Sequence, residues 1–302
     1  MIRSGFVPPS GTITHKREQF IRACENFSAA LGVRILTAPN VLAQHYYSAG
    51  TPQQRLDDFN YLLEQDEVKG IIFSAGRDTA IDLVPLLPYD EIRRRPKIMA
   101  GISDATTLLS SITAATGLVT FLGLELLDFA DRPMPYTLAS SEAAWFSGHM
   151  GAVRANPQWQ DLRHSEHRYG CWKTTRPGTA EGRLICGNFR SFVQLFDTER
   201  ELRLPGAILC LETYKLPKKE IHKGLMQLKL RGILDSITGM IIGYCCGCDD
   251  AACAAMSNRL PTACVRQRPG ILCRSYKWER SATGLKIACS RWGRGRGWML
   301  TA

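Results

Sequence analysis

The sequence predicts an α/β protein: a parallel sheet with helices on both faces, followed by a smaller α/β unit. Three observations lead there. From Lys16 to Phe121, short apolar runs of strand type alternate with amphipathic helical stretches, the signature of parallel strands joined by crossover helices. Between Gly148 and Gly178 the pattern breaks down, with Trp159, His164, His167 and Trp172 set among polar residues. Beyond Gly178, strand and helix signals resume. The expected division is 1–147 for a first domain, 148–178 for a linker and 179–302 for a second domain. No internal repeat is visible.

In order, Lys16–Leu31 is expected as a helix with Phe20, Ile21, Cys24, Phe27 and Leu31 on one face, capped by Thr14. Val33–Leu36 reads as a strand. Thr51-Pro52 opens a second helix with Leu56, Phe59, Leu62 and Leu63 inward, since proline suits the first helical position. Gly70–Phe73, Lys97–Ala100 and Val119–Phe121 read as buried strands. In the second unit, strands are expected near Arg183–Ile185, Ala207–Leu211 and Gly239–Gly243. A helix enters at Pro217, carries Ile221, Leu225, Leu228 and Leu230, and closes at Gly232.

A chain of 302 residues, 45% hydrophobic and 22% charged, can bury the core of a globular protein. No apolar run is long enough to span a bilayer. Arg3 followed by glycine and prolines, with no apolar block, reads as no signal peptide, hence an expected cytoplasmic location. The net charge of +10 is unevenly placed: Ala251–Ala302 has ten basic residues against Glu279 alone, leaving about +1 for Met1–Asp250. A near-neutral body is poorly suited to tracking phosphates, so no nucleic-acid partner is expected. Seven of the eleven cysteines lie from Cys245 onward, without the paired C-x-x-C spacing of a zinc site. No metal or organic cofactor is implied.

Chemistry concentrates at Lys97-Ile98-Met99-Ala100-Gly101-Ile102-Ser103-Asp104-Ala105-Thr106. An apolar strand runs into Gly-x-Ser-x-Ala and then a helix-compatible stretch. Small residues two before and two after a serine permit the sharp strand-to-helix turn of a nucleophile elbow. Such a turn exposes the hydroxyl at a helix N-terminus, where free N–H groups favour negative charge. By itself the pattern also fits a serine that merely caps a helix.

The stretch "PKIMAGISDATTLL" resembles the nucleophile block of the LD-carboxypeptidase (muramoyltetrapeptide carboxypeptidase) family of serine peptidases. "DEVKGIIFSAGRDTAIDLVPLLPYDEI", "TGLVTFLG", "RPGTAEGRLICGNFRSFVQLFDT" and "LPGAILCLET" resemble its other blocks, in order. The resemblance implies a flavodoxin-like first domain and a swivelling-type second domain. It also implies Ser103 as nucleophile, the N–H of Asp104 with one at Gly76 or Arg77 as oxyanion donors, and Glu212 as the acid that orients an imidazole base. Asn188 is a candidate substrate contact. So is Trp145, in "SSEAAW", which is similar to aromatics of the microcin-immunity members; it reads equally as a core aromatic. The implied partner is a small peptide or murein fragment, with no membrane partner, and the family commonly forms homodimers.

Two departures stand out. The family's turn usually reads Gly-Gly, where this chain has Gly76-Arg77; a positive φ at Arg77 would strain it. The family's histidine belongs in the C-terminal stretch, whereas His15, His45, His149, His164, His167 and His222 all precede it. The arginine- and cysteine-rich tail has the composition of a GC-rich gene read out of frame. Restarting at the third base of each codon over Leu272–Gly293 permits V-P-V-L-Q-V-G-A-I-G-H-G-P-E-D-R-L-L-P-L-G, which is similar to the family's final block. Its histidine codon straddles Ala282 and Thr283. On this reading an insertion or deletion near Asp250–Met256 displaced the frame and removed the base.

Overall fold

The structure is a computed structural model that describes residues 3–123, 125–130, 135–147, 152–153, 173–176 and 178–246, and the short strands Cys273–Ser275, Ile287–Ala288 and Trp298–Met299. His149, Trp159, His164, His167, Trp172, Ala282 and Thr283 lie outside the described residues.

Strands β1 (Arg3–Val7), β2 (Arg34–Thr37), β3 (Val68–Phe73), β4 (Ile98–Gly101) and β5 (Phe121–Leu122) form a parallel sheet in the order β5-β4-β3-β1-β2. Ile287–Ala288 adds an antiparallel edge beside β5. The strand order reverses between β1 and β3, which makes their carboxyl ends a topological switch point, the place where open α/β sheets hold their sites. Each strand start expected from sequence lies within two residues of the one observed, and β1 joins them between β3 and the edge strand β2.

Helix α1 (Arg17–Leu31) ends where Gly32 turns left-handed at φ 64°. Phe20, Ala23 and Phe27 are buried, but Ile21 is 48% exposed, because it lies one residue off the 20-24-27 stripe. Thr14 does not cap this helix: it opens a short 3-10 turn, and its hydroxyl donates to the Leu42 carbonyl at 2.7 Å. Helix α2 (Pro52–Glu64) is fixed by a reciprocal capping box, with Thr51 Oγ1 accepting from Gln54 N–H and Gln54 Oε1 from Thr51 N–H. Helices α3 (Tyr89–Arg94), α4 (Ala105–Thr116) and α5 (Pro135–Glu142) complete the first unit.

In the second sheet β6 (Lys173–Arg176), β7 (Glu181–Asn188), β8 (Ala207–Tyr214) and β9 (Gly239–Cys246) appear, with β7, β8 and β9 mutually parallel. Cys273–Ser275 pairs parallel to β9 and antiparallel to β6, and Trp298–Met299 pairs antiparallel to β7. β6 falls inside the stretch expected as a linker and is instead a strand of this sheet. Helices α6 (Phe189–Val193), α7 (Lys218–Leu230) and α8 (Ile233–Ser236) pack around it. Ile221, Leu225 and Leu228 face inward from α7, whereas Leu230 is 82% exposed. No helix among the described residues is long and apolar enough to cross a membrane.

Helix α4 joins the two units. Every residue from Ala105 to Ile112 is buried, and one continuous apolar cluster includes Leu108, Leu109 and Ile112 with Cys186, Leu195, Ile208 and Ile241 of the second unit. Its polar residues are matched across the junction. Asn188 N–H donates to Thr106 Oγ1 at 2.9 Å, and the Thr107 hydroxyl contacts Ser191 O and Gln194 Oε1. Buried polar groups placed this way fix one relative orientation of the two sheets.

Candidate active site

At the end of β4 the chain turns through Ile102–Asp104 into α4. Ser103 takes φ 60°, a left-handed conformation that costs a non-glycine residue roughly 1–2 kcal/mol. The small residues around it have a direct steric cause. A Cβ on Gly101 would lie 2.7 Å from the Ala105 Cβ and 3.0 Å from Phe73, so the turn closes only with glycine there. Ser103 itself is partly exposed, while Asp104 is 1% exposed.

Beside Ser103 lies the turn after β3. A Cβ on Gly76 would come within 2.7 Å of Ser103 Cβ and 2.8 Å of its Oγ, with Asp104 N at 3.3 Å. The Gly76 backbone therefore sits directly against the serine. The strain expected at Arg77 is absent: the positive φ, 56°, belongs to Ala75, and Arg77 is exposed. Ala75 is held by its N–H on Glu125 Oε1 (3.2 Å) and its carbonyl on Gly11 N–H (2.8 Å). The Asp104 carboxylate accepts from Ala80 N–H at 2.9 Å and from the Ser191 hydroxyl at 3.3 Å, tying the elbow to the β3 turn and to α6. Burial pushes its carboxyl above the usual range, against the hydrogen bonds from Ala80, Ser10 and Ser191. Across the same region Arg190 of α6 stands 3.9 Å from Asp78.

Glu212 lies near the carboxyl end of β8, in register with Asn188 at the end of β7. It is 5% exposed, and burial raises its carboxyl to about 7, opposed by a hydrogen bond from Asn188 Nδ2 at 2.9 Å. The Asn188 side chain is engaged twice, since its Oδ1 also caps α6 through Ser191 N–H. Expected as a substrate contact, it lies against Glu212. A short path thus runs from Ser103 along the first turn of α4 to Thr106, across to the Asn188 backbone, and through the Asn188 amide to Glu212. Gly187 makes this approach possible, because a Cβ there would lie 2.7 Å from Thr106 Cγ2.

Ser103, Asp104, Gly76, Asn188 and Glu212 are therefore brought into one connected region. Trp145 makes its described ring contact elsewhere, packing on Phe27 of α1 with centroids 6.2 Å apart. His222 is exposed on α7. Sequence reasoning missed Thr106, which bridges the units, and the buried group of Ser10, Arg55 and Thr79 beneath the β3 turn. The available signal for Arg55 was a charge on the apolar stripe of α2 that continues with Phe59 and Leu62.

Residues 5–123 match the LD-carboxypeptidase N-terminal domain, and residues 181–269 match the LD-carboxypeptidase C-terminal domain. The chain belongs to the LD-carboxypeptidase family. Among curated relatives of this LD-carboxypeptidase homologue is the microcin C7 self-immunity protein MccF of Escherichia coli, 29% identical over 254 residues, 77% of this chain and 72% of that protein. Another is the murein tetrapeptide carboxypeptidase of Pseudomonas aeruginosa, 28% identical over 247 residues, 79% of this chain and 73% of that protein. The solved structure of the microcin C7 self-immunity protein MccF, in an inactive mutant apo state, shares the fold with a TM-score of 0.80 at 24% identity, over 96% of this chain and 91% of that one. The C-terminal match ends at 269, ahead of Leu272–Gly293.

Proposed function

We propose that this chain is a serine carboxypeptidase-like hydrolase in ancestry, with Ser103 as nucleophile, whose activity is impaired because its imidazole base is missing. The observation that carries the reading is the strained, partly exposed Ser103 packed against Gly76 and linked through Thr106 and Asn188 to the buried Glu212. With the family's imidazole restored, Ser103 Oγ attacks the carbonyl carbon and its proton passes to that base. The oxyanion receives hydrogen bonds from the N–H of Asp104 and from Gly76 or Arg77. Collapse breaks the C–N bond, the base returns the proton to the leaving amine, and water then hydrolyses the acyl ester. Glu212 orients and charge-stabilises the imidazole, and Asn188 holds Glu212 in place. The substrate is the L,D-peptide bond before the terminal D-alanine of a murein tetrapeptide, in line with the murein-active relative.

A second reading, cleavage of a peptidyl or aminoacyl nucleotide, is favoured by the likeness to the microcin-immunity relative. Trp145, partly exposed and packed on Phe27, is the aromatic that this reading would use against a base. A third is a binding protein that kept the fold and lost turnover.

Loss of a triad base removes most of the rate enhancement, about 10⁴- to 10⁶-fold. Sequencing independent DNA across the codons ahead of Leu272 tests the frame; an intact frame as written refutes the frameshift and, joined to ligand binding without turnover, favours the third reading. Protein expressed from the repaired frame is expected to release D-alanine from murein tetrapeptide, with S103A inactive. Turnover of an aminoacyl nucleotide alone would give the second reading.

A further inference from the structure

Resting on Ser103 as nucleophile, we propose that Arg55 is a positioning residue that sets the oxyanion side of the site from behind. Arg55 is 2% exposed, on the inward face of α2, where Phe59 and Leu62 continue the stripe. Its Nη1 donates to the Pro9 carbonyl at 2.6 Å, the Thr79 carbonyl at 2.9 Å and Thr79 Oγ1 at 3.2 Å; its Nη2 donates to Asp82 Oδ2 at 2.8 Å. An apolar side chain at this position would be buried without the penalty of desolvating a cation. What the guanidinium supplies is two nitrogens in one rigid plane: Nη1 holds carbonyls from two strand ends while Nη2 is anchored on Asp82, a fixed span that a single lysine ammonium does not reproduce.

Those carbonyls belong to the loops after β1 and β3. Thr79 N–H donates to Ser10 Oγ at 2.9 Å, and Thr79 Oγ1 also meets the hydroxyls of Ser10 and Ser48. Gly11 N–H holds the Ala75 carbonyl, and Ala80 N–H holds Asp104. The β3 turn is therefore fastened at Ala75, Thr79 and Ala80, leaving Gly76, Arg77 and Asp78 to span between, with Gly76 against Ser103. Arg55 ties together both loops that make these fastenings, so it decides where the N–H groups of Gly76 and Arg77 point. The Asp104 N–H is carried by the elbow, which meets these loops through the Asp104 carboxylate rather than through its backbone.

The test uses the full-length chain and phenylboronic acid. Ser103 Oγ forms a B–O bond, its O–H proton goes to the buffer, and the four-coordinate anion presents a hydroxyl where the oxyanion would lie. Boron NMR reads the affinity, and amide proton shifts report which N–H groups donate. In R55K the affinity is expected to fall about tenfold (1.4 kcal/mol). The downfield shift of the Gly76 or Arg77 amide is lost, while that of Asp104 persists. D82A, a change at a half-exposed carboxylate that frees one arm of the guanidinium, gives about a threefold loss and decides alone should R55K not fold. Affinity and shifts at wild-type level overturn the proposal, as does a loss of all shifts together in step with melting temperature. A wild type without the four-coordinate adduct, or S103A with it, removes Ser103 as nucleophile and is thereby distinguished from a failure at Arg55.

Discussion

Replacing Glu212 by glutamine keeps the shape of the side chain and removes its ability to ionise. In the folded chain burial raises this carboxyl from 4.5 to about 7, with the Asn188 amide pulling the other way. Between those two pH values the folded state holds a proton that the unfolded state has already released. Stability therefore falls as pH rises through that window, and is fully present only below it. A carboxyl moved from 4.5 to about 7 corresponds to about 3 kcal/mol. Urea unfolding of wild type and E212Q at pH 5 and pH 8 measures it. The advantage of E212Q is expected to be small at pH 5 and to reach about 3 kcal/mol at pH 8. Asp104 and Asp58, also pushed up by burial, are common to both proteins and cancel. An advantage that is the same at both pH values would refute a desolvated, poorly compensated Glu212.

Three further outcomes follow from the same geometry. G76A places a methyl 2.8 Å from Ser103 Oγ, so the protein should fold while its labelling by a fluorophosphonate falls more than about tenfold. S103G relieves the left-handed strain and should raise stability by roughly 1 kcal/mol in urea, the roughly 1–2 kcal/mol of strain being offset in part by glycine's larger entropy loss. T106V leaves the Asn188 N–H buried without its acceptor and should destabilise by roughly 1–3 kcal/mol, with faster hydrogen exchange at Asn188.

Apolar strand runs and helix stripes were legible, because burial on both faces of a parallel strand leaves an unbroken hydrophobic signal. The strand ends were not. β7 and β8 run beyond their apolar runs into Gly187-Asn188 and Glu212-Thr213-Tyr214, where the buried Asn188 and Glu212 side chains satisfy each other across adjacent strands. Such partnerships join residues far apart in sequence, such as Thr106 with Asn188, and neither residue type stands out locally. Arg77 was legible as a departure from the glycine pattern but not in its consequence, since the chain bends through Ala75, two residues earlier. Ser103 was legible because its turn demands small neighbours, a local steric requirement that Gly101 and Ala105 meet.

The most direct measurement is mass spectrometry of fluorophosphonate-labelled protein, comparing the chain as written with one expressed from the repaired frame. The account predicts a single adduct, on the peptide that contains Ser103, forming at least about a hundredfold faster once the imidazole is restored. An adduct on another residue, or equal rates in the two proteins, would contradict it.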